Sequence, residues 1–110
     1  MLSGFAITPL DQAPAPVQVN DLITVRRLKE SSASDPGVVM LLTFAPGAAF
    51  GEDRHAVREM LHVLAGEFSD GSDTWPAGTV ICAEPGSVHY PQSETGCTVL
   101  AYYPDGEAAA

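Results

Sequence analysis

One hundred and ten residues, 45% of them hydrophobic, suit one domain with enough apolar mass for a core. Fourteen acidic against five basic residues leave a formal charge of -9, which repels phosphate backbones and anionic lipid. Nucleic acid and membrane surfaces are therefore not expected partners, and no apolar run reaches the length of a membrane span.

In chain order, residues 1–16 carry Pro9, Pro14 and Pro16, which oppose both helix and central strand. An extended N-terminal arm is expected there, laid over a neighbouring subunit. The segment has no basic n-region and no long apolar h-region, so a secretory signal is not expected. Cys82 and Cys97 do not make a disulfide framework. They are expected to be small buried side chains of a cytoplasmic protein with reduced thiols.

Val17 to Leu28 alternates loosely and is rich in β-branched residues, which predicts two short strands broken near Asn20-Asp21. Lys29 to Gly37 is a polar loop. VVMLLTF at 38–44 is an apolar run of strand length closed by Pro46-Gly47. GEFSDG at 66–71, Asp73–Trp75, TVICA at 79–83 and CTVLAYY at 97–103 are further strand candidates, punctuated by glycine and proline. A frayed tail is expected at 105–110. Many short strands so punctuated indicate an all-β sandwich or barrel in a single domain of residues 1–110.

His55 to Gly66 reads two ways. Its composition suits a helix, with Val57, Leu61 and Leu64 as an apolar stripe and His55, Glu59 and His62 on one face. As a strand it places His55, Val57, Glu59, Leu61 and Val63 on one face and turns His62 away. The local pattern leaves both readings open.

The chemistry gathers between Pro46 and His89, which holds all three histidines. Asp53, His55 and Glu59 fall within seven residues, and His89 follows a run of turn signals. Two imidazoles and two carboxylates suit a borderline divalent transition metal: iron, manganese or zinc. A carboxylate at Glu59, within an apolar stretch, needs a partner such as a metal, Arg58 or a histidine. Asp53 also reads as a solvated loop charge, and His62 as a packing residue. Arg58 faces solvent or orients an anionic substrate. Met40, Phe44, Phe50, Trp75, Tyr90 and Tyr102 are candidates to line a barrel mouth. There is no Ser-His-Asp set, no Cys-His pair and no phosphate-cradling glycine loop.

These segments resemble the two cupin motifs. Asp53-Arg54-His55, then Glu59 and Gly66, is similar to the first; Gly78, then Glu84-Pro85-Gly86 and His89, is similar to the second. PGA at 46–48, LAGEFSD at 64–70, PAG at 76–78, PGSVH at 85–89 and GCTV at 96–99 resemble the cupin domain of ChrR-type anti-sigma factors and their stand-alone relatives. The resemblance covers roughly residues 38–103. It implies a small jelly-roll barrel, a double-stranded β-helix, with residues 60–64 in a strand. It also implies metal ligands at His55, Glu59, His89 and Asp53, and a homodimer. Two positions depart from the family pattern: Asp53 stands where the first histidine is usual, and Glu84 where a proline is.

The resemblance implies three functions. One is a metal-dependent dioxygenase acting on a small ketone or diketone-like substrate. The second is a non-catalytic module that senses a small ligand or an oxidant; the helical zinc-binding half that precedes this domain in anti-sigma factors is not found in these residues. The third is a structural cupin that has lost its metal.

Overall fold

The computed structural model describes residues 2–107; Met1 and residues 108–110, part of the expected tail, lie outside the described residues. The described residues form eleven strands and no α-helix. None of their helices is long and apolar enough to cross a membrane.

Residues 2–16 run outside the sheet, with one 3-10 turn at Leu10–Gln12. Arg26 Nε donates to the Pro14 carbonyl and ties this segment to the sheet. The strands β1 (Val17–Asn20) and β2 (Ile23–Lys29) form a hairpin, and β3 (Val38–Phe44) pairs with β2. The short β4 (Ala48–Ala49) and β5 (Asp53–Arg54) follow, then the long β6 (Glu59–Ser69). After it come β7 (Thr74–Pro76), β8 (Val80–Ala83), β9 (Val88–His89), β10 (Gln92–Ser93) and β11 (Cys97–Tyr103). The main sheet runs β1-β2-β3-β11-β6-β10-β4 and curls into a half-barrel. Both β7 and β8 also pair with β6, while β5 and β9 make a separate two-stranded ladder.

The core follows from strand alternation. Val38, Met40 and Phe44 of β3 face inward with Cys97, Val99 and Ala101 of β11. The register sets Val99 between Leu42 and Val63, and Ala101 between Met40 and Leu61. Val63, Val99 and Ala101 are fully buried. Each buried Val, Leu or Phe contributes about 1.5–3 kcal/mol.

Residues 59–69 are a strand, as the family resemblance implied, so of the two local readings of 55–66 the helical one falls. Packing against β8 on one side and β11 on the other outweighs local helix propensity. Val99 pairs with Val63 and Thr98 with Ala65, so Leu64 is an extra residue, a β-bulge. Before the bulge Glu59, Leu61 and Val63 point inward; after it the parity switches and Phe68 does. Gly66, at φ +74, lies against Gly96 where a Cβ would meet backbone.

Three aromatic residues differ from expectation. Trp75, Tyr90 and Tyr102 are exposed rather than lining the barrel. Cys82 is exposed as well, on the outward face of a four-residue strand, whereas Cys97 is buried.

Candidate metal centre

The ladder of β5 and β9 sets Asp53 directly opposite His89. His55 follows β5 in a turn pinned by backbone hydrogen bonds: its N–H donates to Ser87 O and its carbonyl accepts from Gly86. Glu59 opens β6 with its side chain on the inner face. One donor atom from each of the four lies within 4.8 Å of the others. His55 and Glu59 are buried, and Asp53 and His89 are half-buried.

The imidazoles face each other, with His55 Nε2 3.0 Å from His89 Nε2. Asp53 Oδ2 stands 3.3 Å from His89 Nε2 and 3.7 Å from His55 Nε2. Glu59 Oε1 is 3.4 Å from His55 Nδ1. Two nitrogens, each about 2.0–2.1 Å from one ion and at right angles to one another, would be about 2.9 Å apart. The separation of the two Nε2 atoms therefore fits a shared ion, and Asp53 Oδ2 approaches the same spot.

The protonation states of His55 and Asp53 suit ligands as well. Burial pushes His55 below its usual pKa, against the raising effect of Asp53. Asp53 is held low chiefly by its hydrogen bond with His89. A neutral imidazole and an ionised carboxylate are the forms that bind metal. Burial raises Glu59, with the Tyr103 hydroxyl opposing the shift. Burial and the charge of Glu59 together push Tyr103 up, so it stays a phenol.

An apolar cavity of about 130 Å³ reaches Asp53 and Glu59. Its wall includes Leu42, Phe44, Phe50, Leu61 and Phe68, with Tyr103 beside the carboxylates. Phe68 packs edge-on against Phe44 and lies 6.0 Å from the His89 ring. A second cavity, of about 220 Å³, is lined by Asp53, His55, Tyr103 and Glu107. A separate polar groove, between β4, β10 and β6, touches none of the four donors.

His62 is outside the cluster, half-buried on the opposite face of β6. Arg58 is at the surface, where its Nε donates to Asp105 Oδ2 at 2.7 Å. Tyr103 and Phe68 are the neighbours that sequence reasoning missed. The parity of Tyr103 with Ala101 was a readable signal; that of Phe68 was hidden by the bulge.

A sequence profile of the ChrR cupin-like domain matches residues 10–104. No curated protein matches the chain significantly. Among solved structures, the complex of SigE with the anti-sigma ChrR of Rhodobacter sphaeroides is similar at 24% identity and a TM-score of 0.69. That match covers 80% of this chain and 47% of the other, so the chain spans about half of that relative's length. The polyketide cyclase RemF of Streptomyces resistomycificus matches over 96% of this chain and 82% of its own, at 15% identity and a TM-score of 0.81. An acetylacetone dioxygenase of Acinetobacter johnsonii matches over 94% and 75%, at 10% identity and a TM-score of 0.69. At these identities the likenesses speak for the fold.

Proposed function

The chain belongs to the family of ChrR cupin-like domains, and from that membership we propose that it is a metal-binding cupin acting as a small-molecule dioxygenase. Its fold is the all-β jelly roll of the cupins. The observation that carries the proposal is the convergence of His55 Nε2, His89 Nε2 and Asp53 Oδ2, with Asp53 and Glu59 also lining an apolar cavity.

In this reading Asp53, His55, Glu59 and His89 hold one divalent iron, manganese or zinc ion. Two carboxylates make the set harder and more anionic than three histidines and a glutamate would. Iron held there would supply the one-electron chemistry with dioxygen that no side chain offers. The chain's own groups position and protect. Phe44, Phe50 and Leu61 exclude water from the reacting end, and Tyr103 keeps its proton beside Glu59. The substrate is a small ketone or diketone. When a carbon–carbon bond of a diketone breaks, the two products share both oxygen atoms, so no further reductant is required.

Metal content tests the reading. About one divalent ion per chain is expected in the wild type. Asp53→Ala should weaken binding about as much as His55→Ala, and Asp53→His should retain the ion. A wild type that takes up no ion overturns the metal centre. Iron-loaded protein should then consume oxygen with small diketones or hydroxy-ketones. A full iron site with no uptake favours the second reading, a sensing module, which the family and the likeness to ChrR support.

A further inference from the structure

Of the three cavities that touch the donors, the two that reach Asp53 select a ligand by charge. Among the described residues, no lysine or arginine lines either one. The cavity at His55 adds a further carboxylate, Glu107, whose partner Arg27 does not line the cavity. Arg54, between Asp53 and His55 in sequence, is exposed beside Glu52, and Arg58, which lines a third cavity touching only Glu59 of the four donors, is engaged with Asp105 at the surface. One divalent ion is already offset in formal charge by Asp53 and Glu59. An anion entering the apolar cavity would lose its hydration and gain no compensating cation, which is costly. A neutral molecule with one or two oxygen atoms pays far less and can still present those atoms to the donors' end.

Size is set by the same walls. An engineered apolar cavity of about 150 Å³ is filled by benzene. The cavity here, at about 130 Å³ and lined in the same way, holds at most one ring of that size. Its walls are unequal in function. Phe44 and Phe68 are buried core residues, whereas Phe50 is 44% exposed at the mouth. Phe50 lies between β4 and β5, held by its N–H to the Pro91 carbonyl at 2.8 Å. Its ring can therefore be removed without opening the core.

We infer that the site takes a neutral, oxygen-bearing molecule no larger than a single ring, that carboxylates and phosphonates are excluded, and that Phe50 sets the size limit. The inference rests on the metal centre proposed above and narrows its substrate.

Calorimetric titration of zinc-loaded protein tests it, because zinc is redox-inert and leaves the probe intact. Acetylacetone and acetoacetate have the same number of heavy atoms, but acetoacetate is an anion. Benzoylacetone adds a ring. Acetylacetone should bind roughly tenfold or more tightly than acetoacetate, a difference of about 1.4 kcal/mol. Benzoylacetone should bind Phe50→Ala and not the wild type. Equal or tighter binding of acetoacetate overturns the charge rule, and full binding of benzoylacetone by the wild type overturns the size rule. Zinc counted in the same samples separates the two readings: protein that holds no zinc sinks the metal centre alone. Metal-free protein then keeps the charge rule testable, with cyclohexanone expected to raise the melting temperature more than cyclohexanecarboxylate. An equal shift overturns it.

Discussion

Two glycines of positive φ separate torsional cost from steric cost. Gly66 has φ +74, and a Cβ there would stand 2.1 Å from the Gly96 carbonyl oxygen and 2.9 Å from Cys97 Cα. Gly78 has φ +93, and a Cβ there meets nothing within 4 Å. Left-handed backbone costs an L residue about 1–2 kcal/mol. Alanine returns about 0.4–1 kcal/mol of that by narrowing the unfolded ensemble. Gly78→Ala should therefore lose about 1 kcal/mol. Gly66→Ala adds a backbone collision, and overpacking costs about 1–3 kcal/mol more, giving roughly 2–4 kcal/mol in total. At about 4–8 °C per kcal/mol, the melting temperatures of the two variants should differ by on the order of 10 °C. Urea unfolding of the metal-free proteins measures both. Gly66 lies on the same strand just before Phe68, whose ring is 6.0 Å from that of His89, so Gly66→Ala should weaken metal binding and Gly78→Ala should not. Equal losses of stability in the two variants would refute the close approach given to Gly66 and the Gly96–Cys97 backbone.

Two further outcomes are expected. Glu59→Gln should stabilise the metal-free protein by about 1–3 kcal/mol, because it removes a buried charge, and should weaken metal binding. Since the folded pKa of Glu59 is raised, that gain is full above the folded pKa and fades as pH falls and the wild-type carboxyl takes up its proton; a gain independent of pH would contradict this account. Asp70 accepts from the Trp75 indole at 2.9 Å and from the amides of Ser72 and Asp73 at 2.8 Å, and its pKa is lowered first by the indole bond. Its contribution, about 0.5–1 kcal/mol after screening by solvent, is present above the unfolded value near pH 3.9 and lost as pH falls through the folded value. Asp70→Ala should remove that acid-side dependence in denaturation curves taken across pH.

What could be read from residues alone was decided by how local the cause is. Strands 38–44 and 97–103 were legible because each is a continuous apolar run with turn residues at its ends. The break between β1 and β2 was legible in Asn20-Asp21, where Asn20 Oδ1 accepts the Leu22 amide. The four donors were legible as residue types, and the structure brings all four together. The strand at 59–69 was not, since its pairing partners, Val80–Ala83 and Cys97–Tyr103, lie far along the chain. The bulge at Leu64 shifted the parity of everything after it and hid Phe68. Strands of two residues, such as 53–54 opposite 88–89, have too little pattern to announce themselves, yet that ladder aligns Asp53 with His89. Exposure of Trp75, Tyr90 and Tyr102 was equally illegible, because alternation assigns a side and not which side is covered.

The place of β11 dictates an order of events during synthesis. It emerges from the ribosome after every other strand, yet it inserts between β3 and β6. Until it arrives, Met40 and Phe44 on one nascent strand and Leu61 and Val63 on another have no partner across the gap. The growing chain therefore carries two unpaired apolar edges, the condition under which partly made β proteins aggregate or engage chaperones. Tyr103, which flanks Glu59, arrives with that same strand. Closure of the sheet comes first, and a completed pocket for any ion follows from it.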